Sequence, residues 1–125
     1  MSGPIDGDSS LHAVLRGALP PALKARDRVA VVALRSALAA IDNAQAVEAP
    51  PAPRSGGVVA GAVAGLGAGE APRRELSEGE IVAIVRAEVA DRLAAAADYE
   101  RAGRADAAAR LTAEADVLAA LLPAG

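Results

Sequence analysis

A single glycine sets most of what the C-terminal half of this chain can become. Gly103 stands between two runs of apolar residues, each spaced as a helix spaces them. Before it lie Ile81, Ile84, Val85, Val89, Leu93, Ala96 and Ala97; after it lie Ala108, Leu111, Ala115, Leu118 and Leu122, in steps of three and four. Glycine enters the left-handed conformation without a Cβ clash, so it closes a helix cheaply. The first helix is therefore expected to end at Ala102 and the second to begin almost at once. A connection this short makes the two helices antiparallel neighbours, and Pro123 stops the second.

The start of the first helix is written as clearly as its end. Ser77 precedes Glu80 by three residues, the capping-box spacing, in which the hydroxyl accepts from the Glu80 N–H and the carboxylate reaches back to the Ser77 N–H. Leu76 is placed to pack on Ile81 as a hydrophobic staple. Glu78 and Glu80 complement the positive end of the helix dipole, and Arg101 and Arg104 the negative end. Gly79 is the weak position, at a cost of about 1 kcal/mol relative to alanine. Glu88 and Arg92 form a favourable pair one turn apart. Asp106, Arg110 and Glu114 alternate in sign along another face of the second helix, a pattern that predicts a wet face. Tyr99, the sole aromatic residue, is expected to pack at the corner of the hairpin.

The N-terminal half repeats the theme less cleanly. Residues 1–8 read as a disordered lead. Ser9 or Ser10 can cap a helix carrying Leu11, Leu15 and Leu19, with Leu23 continuing the apolar face. Pro20 and Pro21 should end or kink that helix. The segment Lys24-Ala25-Arg26-Asp27-Arg28 marks a turn in which Asp27 is a possible cap. A further run with Val31, Leu34, Leu38 and Ile41 follows and fades at Asp42-Asn43-Ala44.

Helical runs are thus expected at about residues 10–24, 28–44, 78–102 and 105–122, within one domain spanning 9–122. Between them, residues 46–74 form a long loop rich in alanine, glycine and proline. Gly57, Gly61, Gly65 and Gly69 recur there at every fourth position; the spacing would suit a small-residue helix contact, but the composition reads first as a mobile low-complexity loop. No GK[ST] follows them and no clear strand precedes them, so they do not make a phosphate loop. The fold class is all-α: a small bundle of two helical hairpins joined by that middle loop.

Composition narrows the function. With 125 residues the core is modest, and with no cysteine there is neither a disulfide nor a thiolate metal site, a usage that suits a reducing cytoplasm. The absence of Trp and Phe leaves Leu, Val, Ile and Ala to build the interior. Net charge is −3, and it is uneven: Met1–Ala46 carries five basic and four acidic residues, Leu76–Gly125 five and nine. A free-standing nucleic-acid binder is usually basic over its domain. The acidic, polar N-terminus has no signal-peptide character, and no stretch is apolar for long enough to span a membrane.

Candidate sites are few. Lys24, Arg26, Arg28 and Arg35 cluster where the second run begins and can contact RNA phosphates; a solvated helix end is the more ordinary explanation of such charges, and no aromatic residue interleaves to stack bases. Arg73 and Arg74 precede the Ser77 cap and can pair with Glu75, Glu78 or nearby carboxylates. His12, the only histidine, makes no metal site alone and has no evident catalytic partner. No catalytic residue, metal ligand or cofactor site is assigned.

Three segments together resemble the YqeY-like family, which is related to the tail domain of the B subunit of the tRNA-dependent amidotransferase: LSEGEIVAIVRAEVADRLAAAADYERAGRADAAA, the closing EADVLAALLP, and the upstream KARDRVAVVALRSALAAIDNA. The YERAGRADAA stretch is the most specific, because glycine, arginine and aspartate follow the tyrosine at fixed offsets. The resemblance implies a non-catalytic helical module associated with tRNA-dependent amidation, with tRNA or amidotransferase subunits as partners. A family-level label of carbon–nitrogen ligase using glutamine as amide donor is also implied. Family members commonly continue past the final LP into a second small helical domain; here the sequence ends at Gly125, so no role of that domain is carried over. The alternative is a self-associating or protein-binding helical domain with no RNA role, since a homo-oligomer buries what one small core does not.

Overall fold

The computed structural model describes residues 10–46 and 74–124. These form four helices: α1 (Leu11–Lys24), α2 (Arg28–Ala46), α3 (Glu78–Arg101) and α4 (Ala105–Leu121). They make two antiparallel hairpins, α1–α2 and α3–α4, as the all-α reading expects. Across the bundle α2 packs on α4 and α3, while α1 meets the second hairpin only at its margin.

Local chemistry sets the helix starts. Ser10 Oγ accepts from the Ala13 N–H at 3.1 Å, and Glu78 Oε2, sixty-seven residues on, accepts from Leu11 N–H at 2.9 Å. Asp27 Oδ1 caps α2 by accepting from Ala30 N–H at 3.1 Å. The capping box at Ser77 and Glu80 is complete in both directions, at 3.1 and 2.8 Å. Between the hairpins, the Arg74 N–H donates to the Gln45 carbonyl at 2.9 Å, tying the end of α2 to the approach to α3. That bond falls where α2 was expected to have faded; the helix instead continues through Asn43 to Ala46.

Both hairpins close with one motif. After α3, the Arg104 N–H donates to the Tyr99 carbonyl at 2.8 Å and the Gly103 N–H to Glu100 at 3.0 Å, with Gly103 at φ 77°. After α1, the Asp27 N–H donates to the Ala22 carbonyl and the Arg26 N–H to Leu23, each at 3.0 Å. There the left-handed residue is Arg26, at φ 58°.

Pro20 and Pro21 neither end α1 nor split it. Their missing N–H groups would have served the carbonyls of Arg16 and Gly17, and all four residues face solvent. At exposed residues those two carbonyls are open to hydrogen bonding by solvent, and proline's fixed φ already suits a helix.

The core is assembled from every helix. Its largest fully buried side chains are Leu15 of α1, Leu34 and Ile41 of α2, Val85 of α3 and Leu118 of α4. Each such burial is worth about 1.5–3 kcal/mol against leaving the side chain in water. Ala30, Ala33 and Ala37 line the inner face of α2 and allow its neighbours to come close. Beyond Arg92 the fully buried contact within the second hairpin thins to Ala96 and Ala108, with Leu111 half-buried beside them. Two residues expected on the inner stripe of α3 are therefore exposed: Leu93, 46% accessible, and Ala97. They lie where α3 runs on beyond the large apolar side chains of the core.

Candidate functional site

Ionisable groups gather in two places, one inside the bundle and one at its edge. The inner group corrects the expectation of a wet face on α4 at one position: Asp106 and Arg110 are exposed as expected, and Glu114 is not. Glu114 is buried, and its Oε1 accepts from Arg92 Nε at 3.0 Å. Arg92 also donates through Nη1 to Glu88 Oε1 at 2.8 Å, and the Ser36 hydroxyl of α2 donates to that same carboxylate oxygen at 2.8 Å. The network joins α2, α3 and α4 and leaves no buried side-chain polar atom without a partner among the described residues. Burying charge costs several kcal/mol per ion unless each is paired and hydrogen-bonded, and here each is. This cluster is committed to holding helices together.

The outer group lies at the α1–α2 corner. Lys24 is exposed on the last turn of α1, Arg26 occupies the left-handed closing position, and Arg28 opens α2. Arg35 lies on the outer face of α2, roughly 10 Å further along at the helical rise. Among the described residues none of these four side chains has an ion-pair or hydrogen-bond partner. Arg26 and Arg28 border an open groove of about 480 Å³ lined otherwise by Leu23, Val31 and Val32. Leu23 and Val32 are 45% and 50% exposed.

Periodicity alone did not disclose the apolar side of this corner. Spacing makes Leu23 a continuation of the apolar face of α1, yet it lies past Pro21 on the last turn, where the core ends. Val32 had a usable signal. It falls outside the Val31–Leu34–Leu38–Ile41 stripe and is flanked one turn away on either side by Arg28 and Arg35.

The remaining candidates have structural settings. Arg74 donates to Glu80 at 2.6 Å. The backbone N–H of Ser77, the Ser77 hydroxyl and the Arg74 guanidinium hold the Glu80 carboxyl below its ordinary value, the backbone bond first. Tyr99 is 39% exposed rather than packed inside, with the Arg104 guanidinium 5.8 Å from its ring centre. Arg101 pairs with Asp98 on the surface. His12 lines a shallow groove with Arg16, Leu38, Asp42 and Gln45. Arg73 and the glycines at 57, 61, 65 and 69 lie outside the described residues. No cluster of His, Cys, Asp or Glu among the described residues could hold a metal ion, and no helix there is long and apolar enough to cross a membrane.

A family profile described as Yqey-like protein matches residues 64–125, which takes in α3, α4 and the approach to them. Neither a curated protein nor a solved structure matches the chain significantly. The match covers the glycine-closed hairpin that carries the YERAGRADAA stretch. Residues 64–125 of this chain belong to the YqeY-like family.

Proposed function

We propose that the chain is a non-catalytic interaction module that works in the cytoplasm alongside tRNA-dependent amide transfer, with the α1–α2 corner as its working surface. The observation that carries this reading is the set of four basic side chains at and beside that corner without ionic partners among the described residues. The buried charges support it from the other side. Glu88, Arg92 and Glu114 satisfy one another and are spent on packing. The corner holds a component of the amidation reaction, either tRNA through its phosphates or an amidotransferase subunit through its carboxylates. A label of carbon–nitrogen ligase with glutamine as amide donor then describes the assembly, and this chain assists it.

The test is binding of tRNA and of purified amidotransferase across a salt series. Contact through the corner predicts affinity that falls as salt rises and weakens in Arg28→Ala and Arg35→Ala. Failure of both partners to bind at low salt would remove the reading. A second reading, self-association without an RNA role, is favoured by the exposed Leu93 and Tyr99 on the other hairpin; light scattering over a wide concentration range separates the two.

A further inference from the structure

We propose that the groove at the α1–α2 corner is the docking site for an amphipathic helix of a protein partner, one whose apolar stripe is bordered by glutamates or aspartates. The inference rests on the corner being the working surface, as proposed above, and it narrows the partner from RNA or protein to protein.

Three observations point the same way. First, the groove is apolar between its charges. Leu23, Val31 and Val32 line it, and two of them are about half exposed. A phosphate backbone gains nothing from such a floor, and the corner presents no aromatic face for a base to stack on. An apolar side chain from a helix gains burial there.

Second, the charges have a helical spacing. Arg28, Val32 and Arg35 follow one another on the outer face of α2 at steps of four and three. A partner helix with two carboxylates about two turns apart, roughly 10 Å, and an apolar residue between them meets all three. Such carboxylates find guanidiniums that make no ion pair among the described residues, the neighbouring Asp27 carboxylate being turned to the Ala30 N–H.

Third, Arg26 sits at φ 58°, whereas the equivalent closing position in the other hairpin is Gly103. A glycine closes this motif without strain. An arginine accepts the strain and places a guanidinium at the edge of the groove.

The experiment titrates the full chain with a synthetic peptide of about 18 residues, long enough to become helical, in which a leucine stripe is flanked by glutamates one heptad apart. Methyl NMR reports the site and anisotropy the affinity. The expected result is saturable binding that shifts the methyls of Leu23, Val31 and Val32. The same peptide with glutamine for glutamate binds about fivefold more weakly or worse. Val32→Asp, at a half-exposed position that leaves helicity intact, weakens binding by more than about tenfold. Arg26→Gly binds the peptide more weakly while unfolding at the same or a higher temperature, a combination that a purely structural role for Arg26 does not produce.

Shifts that map elsewhere, or wild-type affinity in Arg26→Gly, overturn the assignment. A single-stranded RNA oligonucleotide that displaces the peptide from the groove at equal concentration also overturns it, while leaving the corner as the working surface. If the peptide docks as described but neither tRNA nor amidotransferase binds the chain, the docking site stands and the association with amidation falls.

Discussion

Arg92 on α3 donates to Glu114 on α4 across 3.0 Å, and the same guanidinium holds Glu88 at 2.8 Å. One cation therefore serves two carboxylates, and its two partners are not equally dependent on it. Glu88 also receives the Ser36 hydroxyl, and Glu114 has no second side-chain donor among the described bonds.

This asymmetry orders the cost of removing each member. Arg92→Ala leaves the buried Glu114 and the half-buried Glu88 carboxylates without their shared cation and should cost about 3 kcal/mol. Glu114→Ala leaves the Arg92–Glu88 pair in place and should cost about 1.5 kcal/mol. Urea unfolding midpoints of the two variants give the comparison. Equal losses would mean that the Arg92–Glu88 pair adds nothing to the stability of the fold.

The capping box carries a pH signature. The Glu80 carboxyl is held below its ordinary value in the fold, chiefly by the Ser77 backbone N–H and then by Arg74. Its contribution to stability is therefore fully present above the ordinary carboxylate range and disappears as pH falls through the lowered folded value. Glu80→Gln keeps a side chain able to accept from Ser77 but loses the charge. Wild type should be the more stable at pH 7, and the two should converge on acidification, as thermal melts at pH 7 and pH 3 would show.

The two closing residues should respond in opposite directions to substitution. Gly103→Ala has open space around a new Cβ but forces a left-handed alanine, at about 1–2 kcal/mol. Arg26→Gly relieves the same strain, offset by glycine's greater freedom when unfolded, and should be neutral or stabilise by up to about 1 kcal/mol. Chemical denaturation of both variants measures this difference in sign.

Two leucines spaced alike in the sequence should behave differently. Leu118 is fully buried in the core to which all four helices contribute, and Leu118→Ala should cost about 3 kcal/mol. Leu93 is nearly half exposed, and Leu93→Ala should stay within about 0.5 kcal/mol of wild type. Denaturation midpoints decide it.

Such contrasts mark where sequence reasoning reaches and where it stops. Ser10, Asp27, Ser77 with Glu80, and Gly103 were all legible, because each acts on backbone groups within a few residues of itself. The inner positions Leu15, Leu34, Ile41 and Val85 were legible from spacing. Glu114 was not: its partner lies twenty-two residues earlier, on a neighbouring helix, and local charge alternation suggested solvent instead. Leu93 and Ala97 were misplaced because periodicity says which side of a helix is apolar but not where its neighbours stop. At the corner, Lys24, Arg26, Arg28 and Arg35 were visible as charge, and the Leu23–Val32 floor was not. Its residues belong to two helices, and only the fold brings them side by side.

The ion pair between Arg92 and Glu114 has one more consequence, for alignment. Ala96 and Ala108 offer nearly equivalent small seats, so the alanine contact by itself resists a one-turn slide of α4 along α3 only weakly, although the slide would also draw Leu118 from its fully buried place. Such a slip would bring Arg110 or Leu118 opposite Arg92 in place of Glu114. Like charge or hydrocarbon would then face the guanidinium, so the ion pair and the buried Leu118 together select a register that the alanine surface alone does not.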